Sequence, residues 1–356
     1  MSAPLARAEE FCRRFGLQAP ILLAPMAGAC PPSLSIAVAR AGGLGAAGVL
    51  LMPPADILSW ADTVRAGTDG PFQLNIWIPD PAPVRDADAE ARIRAFLGQW
   101  GPEVAPDAGD AAPPDFKAQC AAMLEAAPPI ISSVMGLYDA DFVAEMKRRG
   151  IAWFANVSTV AEARAAEDAG ADVIVAQGAE AGGHRGCFDA GTAEQTAVGL
   201  VSLVPAIVDA VKLPVVATGG IADGRGVAAA LALGASAAQI GTGFLRCPES
   251  TIPAAWADAL ARTPPEETMV SRVFSGRAGR SIATRYVRAA TGNDAPDPAP
   301  YPIQRGLTAA MRAAGTNEGD VDRMQAWAGQ SAALARAIPA AEVLDQAWHG
   351  AQSLLR

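Results

Sequence analysis

Histidine is nearly absent from this chain. Only His184 and His349 occur in 356 residues, and neither belongs to an HxH or HExxH pattern. A metal centre built on imidazoles is therefore not expected. Cysteine is scarce as well. Cys12, Cys30, Cys120, Cys187 and Cys247 are odd in number, scattered and without CxxC spacing, which excludes a disulfide framework and reads as free thiols in a reducing cytoplasm. There is no basic run, and the net charge of −9 argues against nucleic acid as a partner. No apolar stretch reaches the roughly 18 residues a membrane span needs. The opening MSAPLARAEEFCRRFG carries charges where a signal peptide requires an apolar core. The GxGxxG fingerprint in a βαβ setting is missing too, so a Rossmann NAD site is not supported.

What the chain does have is apolar matter and turn formers. Hydrophobic residues make up 51% and charged residues 18%, a balance that excludes both a disordered chain and a coiled coil. Thirty-five Gly and 28 Pro imply many tight loops between buried elements. Eight short apolar runs recur: 21–28, 44–51, 72–79, 129–136, 151–158, 171–178, 213–220 and 237–244. They are continuously apolar rather than alternating, as parallel strands covered on both faces are. Helical patterns fill the gaps at 32–42, 139–150, 159–170, 201–211 and 226–235, with 139–150 and 159–170 among those stopping at Gly. Eight strands alternating with helices predict a TIM (β/α)8 barrel, with an open doubly wound sheet as the alternative.

Two stretches break the rhythm. Residues 80–128 are rich in Pro and Asp around a helical core and read as a long exposed insertion after strand three. Residues 246–318, with PPEE, GNDAPDPAP and YPIQRG, read as a smaller lid subdomain after strand eight. The barrel then comprises 1–245 plus 319–340, with 321–338 expected as its eighth helix.

In a barrel the chemistry sits at the carboxyl ends of the strands. TGGIADGRG (218–226) follows the seventh run and QIGTGF (239–244) lies at the eighth. Gly219, Gly220, Gly241 and Gly243 let backbone amides approach an anion, helix N-termini add partial positive charge, and Thr242 adds a hydroxyl. The plainer alternative is a pair of tight turns. AQGAEAGGHRG (176–186) follows the sixth run and carries His184, whose ordinary pKa suits a base; a structural histidine is the alternative. Cys187 lies three residues on, but nothing orients the imidazole for a Cys–His nucleophile. Asn75 and Gln177 each offer a donor and an acceptor to a heterocycle edge. Together these residues suit a flat, polar-edged ring with a phosphate tail, which describes flavin mononucleotide.

APMAG, LNIWIP, AQGAEAGGHRG, ATGGIADGRGVAAALALGASAAQIGTGFL and MQAWAGQSAALAR follow one another in this order. Over roughly residues 17–338 the chain resembles the nitronate monooxygenase family, most closely its bacterial class I members. The resemblance implies a TIM barrel binding FMN and oxidising alkyl nitronates, or nitroalkanes, with O2 to a carbonyl compound and nitrite. It implies flavin contacts at Pro25, Met26, Ala27, Asn75, Gln177 and Gly182, with Gly219, Gly220, Gln239, Ile240, Gly241 and Thr242 on the phosphate side. His184 matches the family's catalytic histidine, and Tyr301 falls in the segment that closes the site. Ile303 to Thr308 departs from the class I pattern, and Arg305 is the nearest cation for an acidic substrate. An NAD(P)H-dependent FMN reductase of the enoyl-acyl-carrier-protein or quinone type, and a non-catalytic flavin-binding protein, are the alternatives. The expected partners are a small-molecule nitronate and O2, with no nucleic acid, no membrane and no metal; a homodimer is left open.

Overall fold

The structure, a computed structural model, describes residues 3–356. Eight parallel strands form the barrel: β1 (Ile21–Leu23), β2 (Gly45–Gly48), β3 (Phe72–Trp77), β4 (Ile130–Val134), β5 (Ala152–Val157), β6 (Val173–Gln177), β8 (Val215–Thr218) and β9 (Ala237–Ile240). Each lies inside one of the eight apolar runs. Neighbours pair in order from β2 through β9 to β1, with β7 (Gly183–His184) outside the barrel. The ring closes where Leu23 N donates to Leu44 O at 2.9 Å and Leu44 N to Ile21 O at 3.1 Å. β2 (GAAG), β6 (VIVAQ) and β8 (VVAT) are buried throughout, which is why no polar alternation marked them in the sequence.

The helices between strands are capped by their own sequence. Asp139 accepts from Phe142 N and Thr159 from Glu162 N, each satisfying one of the free donors of a first turn. At the amino end of the barrel, the helix Pro4–Phe15 turns Phe11 and Phe15 onto Phe154, with ring centroids at 6.3 and 5.0 Å. That end is plugged with apolar side chains, so only the carboxyl end is free to hold a site.

Two expectations need correcting. Residues 321–338 form no eighth helix; they hold two short 3₁₀ turns and a stretch bridged to β11 (Gly279–Ile282). The eighth helix is Ala340–Leu355, which packs against the helices Gly224–Ala232 and Pro32–Arg40. Nor is the insertion after β3 merely exposed. Its helix Ala87–Leu97 buries Ile93 and Leu97 in a second core with Tyr286, Ile303, Leu307 and Met311. Its last helix, Phe116–Ala126, packs on Pro54–Gly67 as an ordinary barrel helix.

A small antiparallel sheet sits over the barrel mouth. β7 (Gly183–His184) pairs with β11, and β11 with β10 (Thr268–Ser271). The register places His184 opposite Gly279. This pairing ties the loop after β6 to the 246–318 segment.

Candidate active site

A cavity of about 230 Å³ opens at the carboxyl ends of the strands. Residues from the loops after β1, β3, β6, β8 and β9 meet there. Pro25, Met26, Ala27, Asn75, Gln177, Gly182, His184, Gly219, Gly220, Gln239, Gly241, Thr242 and Arg305 all line it. Ile240 does not: its side chain is fully buried in the main core. Tyr301 lies outside this cavity, in a neighbouring one of about 130 Å³ whose shared wall is Leu50 and Trp77.

One end of the cavity is made of backbone. Gly219 and Gly220 have φ of +115° and +67°, conformations that suit glycine. The amides of Gly219, Gly220, Gly241 and Thr242 donate to no group among the described residues. A Cβ on Gly182 would come within 2.4 Å of Gly329 N and 2.9 Å of Thr242 Oγ1, so only glycine allows the strands and the 325–331 segment to approach this closely. Gly329 N donates to Thr242 Oγ1 at 3.0 Å, and Gln330 N to Glu180 O at 3.0 Å. The helix Gly224–Ala232 adds less than expected, because its own Asp223 accepts from the Arg225 and Gly226 amides. Arg225 is exposed and paired with that same carboxylate.

Polar groups flank the middle of the cavity. Asn75 Nδ2 donates to Ser132 Oγ at 2.9 Å, leaving its oxygen without a protein partner. Gln177 is committed at both ends: its Nε2 donates to His184 O at 3.0 Å, and its Oε1 accepts from Gly186 N at 2.7 Å. Its role is to pin the 183–186 loop. Asn156, which the sequence reading passed over, lines the cavity with a buried Oδ1 that has no partner. Such an orphan in a polar cavity marks the place of a missing donor. Met135, another lining residue, holds φ +68°, a strained conformation of the kind that clusters at functional sites.

The other end is made of side chains. Trp77 and Trp327 present their rings to His184 at centroid distances of 4.5 and 4.6 Å. Arg277 is 3% exposed and held by Asp80, Nη1 lying 2.8 and 2.9 Å from the two oxygens. Arg305 has no ion pair or side-chain hydrogen bond among the described residues. Arg312, behind it, donates to Arg305 O at 2.8 Å and to Gln325 Oε1 at 3.2 Å; burial pushes its pKa down to about 10. Of these three guanidiniums only Arg277 has a carboxylate partner, so the field at this end is positive. Burial, reinforced by Arg277 and Arg305, pushes the His184 pKa down to about 3, so the imidazole is neutral at physiological pH.

Cys187 takes no part: it is buried, its Sγ donates to Asp189 O at 3.2 Å, and burial raises its pKa. All five cysteines are free. Among the described residues there is no cluster able to hold a metal and no helix long and apolar enough to cross a membrane.

The whole-chain comparisons fit this geometry. The family model described as nitronate monooxygenase matches residues 10–349. The chain belongs to the nitronate monooxygenase family. A nitronate monooxygenase of Paraburkholderia phytofirmans is 41% identical over 93% of this chain and 92% of its own length. Among solved structures, a nitroalkane oxidase from Streptomyces ansochromogenes superposes with a TM-score of 0.86 at 35% identity, covering 95% of this chain and 98% of that one. FabK from Thermotoga maritima superposes with a TM-score of 0.76 at 27% identity, covering 97% and 96%. As a nitronate monooxygenase family member the chain is a flavin-dependent oxidoreductase.

Proposed function

We propose that this enzyme uses FMN to oxidise alkyl nitronates with O2, giving a carbonyl compound and nitrite. The observation that carries the reading is the set of four acceptor-free amides, from Gly219, Gly220, Gly241 and Thr242, in the same cavity as His184 and Arg305. These amides fit a phosphate, and the orphaned Asn156 Oδ1 with the free Asn75 oxygen fits donors on a ring edge. The 325–331 segment, hydrogen-bonded down onto the phosphate end, favours a mononucleotide over a dinucleotide. Met26 and Ala27 supply an apolar wall for the ring. Bound flavin supplies electron acceptance and the reaction with oxygen.

The chain's own residues handle the substrate. A nitronate is an anion, and the unpaired Arg305 guanidinium draws it in. Trp77, Trp256 and Trp327 line the substrate side with apolar surface and exclude water. Neutral His184 faces the nitro group. Residues 246–318 serve as the lid that carries Arg277 and Arg305.

Anaerobic mixing tests the reading. Ethyl nitronate is expected to bleach the flavin absorption, and chromatography of heat-released cofactor to give FMN. Bleaching by NADH and not by the nitronate would replace the proposal with a reductase, and bleaching by neither with a flavin-binding protein that is not a catalyst.

A further inference from the structure

His184 is held by two indole rings and one hydroxyl. The flanking rings of Trp77 and Trp327 restrict rotation of the imidazole. Its Nε2 lies 2.7 Å from Ser275 Oγ. The other ring nitrogen, Nδ1, has no protein partner, and the residue lines the cavity. A neutral imidazole carries one N–H, so the tautomer decides whether the cavity meets a donor or a lone pair.

Ser275 is built to decide it. The residue is 1% exposed. Beside it Gly276 has φ +87°, and a Cβ there would meet Ala299 O at 2.4 Å and Tyr301 N at 2.5 Å. The turn is therefore fixed against the 299–301 stretch. Arg277 N donates to Ser275 Oγ at 3.3 Å. The hydroxyl proton has two acceptors within reach, His184 Nε2 at 2.7 Å and Arg277 O at 3.3 Å. Hydroxyl hydrogen bonds to oxygen run about 2.5–3.0 Å, so the carbonyl at 3.3 Å is the weaker acceptor and the ring nitrogen at 2.7 Å the better placed one.

We propose that Ser275 is a positioning residue: it donates to Nε2 of His184 and so fixes the tautomer that presents Nδ1–H to the flavin cavity. His184 then acts as an anion-facing donor and not as a base. The surroundings agree. A proton taken up by the ring would place a third cation beside Arg277 and Arg305, whereas an anion accepting from Nδ1–H is stabilised by both. No proton changes hands at His184, and the substrate enters as the preformed nitronate. This inference rests on the proposed function for the identity of the anion only.

The two-histidine composition makes the test direct. In the flavin-loaded protein labelled with ¹⁵N-histidine, and in its His349→Asn form for assignment, His184 should show a pyrrole-type Nδ1 and a pyridine-type Nε2. Ser275→Ala should move both nitrogens toward intermediate shifts and lower kcat/KM on ethyl nitronate about 10- to 100-fold, the scale seen when a partner orienting a metal-bound histidine is removed. Ser275→Thr, which keeps the hydroxyl, should restore the wild-type shifts. A pyrrole-type Nε2 in the wild type, or unchanged shifts in Ser275→Ala, would overturn the assignment. The wild-type spectrum requires no variant to fold and no substrate. The expected tautomer without nitronate turnover would therefore sink the proposed function alone, and a pyrrole-type Nε2 with turnover would sink only this inference.

Discussion

At the β8/β9 end of the cavity the groups facing inward are glycines and backbone amides, close together in sequence. At the His184 end they are side chains from separate stretches, Trp77, His184, Arg305 and Trp327, with Ser275 and Arg277 buried behind them. The first end recognises by shape and by N–H groups that every residue but proline has, so it is altered only by filling it. The second recognises by charge, ring edges and one tautomer, so it is altered one side chain at a time. A cofactor shared across a family suits the first construction, and a substrate that differs between relatives suits the second.

The contrast can be broken at the backbone end first. Gly220→Val adds a Cβ within about 3.0 Å of Glu180 Cβ and forces a branched residue to φ +67°. Strain of this kind costs about 1–3 kcal/mol, and the new side chain also enters the proposed anion cradle. Flavin affinity is expected to fall at least about 100-fold by fluorescence titration, while circular dichroism keeps the barrel signature. Full flavin retention would show that the loop only turns the chain.

At the side-chain end, His184→Ala should keep flavin and lose about 10²–10³ in kcat on ethyl nitronate, the usual cost of one preorganised donor. His349→Ala is the control; that residue is exposed on the last helix, next to Asp345, and turnover should be unchanged. Arg305→Met should raise KM for the nitronate about tenfold with a smaller change in kcat, and flatten the dependence of kcat/KM on salt. A KM unmoved by this substitution would remove Arg305 from substrate binding.

A separate effect is on stability. His184 has a folded pKa of about 3 against an ordinary 6.5, so below pH 6.5 the unfolded chain binds the extra proton. Its contribution to stability is complete above pH 6.5 and is lost as the pH falls toward 3, by up to about 1.4 kcal/mol per pH unit. Denaturant melts at pH 6.5 and 4.5 should show a steeper loss for wild type than for His184→Asn. Equal slopes would mean the ring is not shielded from protons.

The barrel was legible because its strands are buried on both faces and so read as unbroken apolar runs, and the glycine loops because local conformation demanded them. The eighth helix was misplaced for a tertiary reason. AWAGQSAALARA has helical composition, but Ile282 N donates to Ala326 O at 2.9 Å and Ala328 N to Arg280 O at 3.3 Å, and this pairing with β11 overrides propensity. Pro339 then starts the true helix. Ser275 left no signal, since its partner lies 91 positions away. Gln177 was recognised as a cavity residue, yet its commitment to the 183–186 loop depended on contacts that spacing alone does not encode.

The second core, formed by Ile93 and Leu97 from one insertion with Tyr286, Ile303, Leu307 and Met311 from the other, has a consequence for recombination. The roof over the cavity is one folded body cut from two distant lengths of chain. Grafting residues 246–318 alone from a relative would leave its apolar face against a foreign helix 87–97. A chimera meant to exchange substrate preference must carry both pieces together, and crossovers placed between β3 and β4 as well as after β9 are the ones that keep the roof intact.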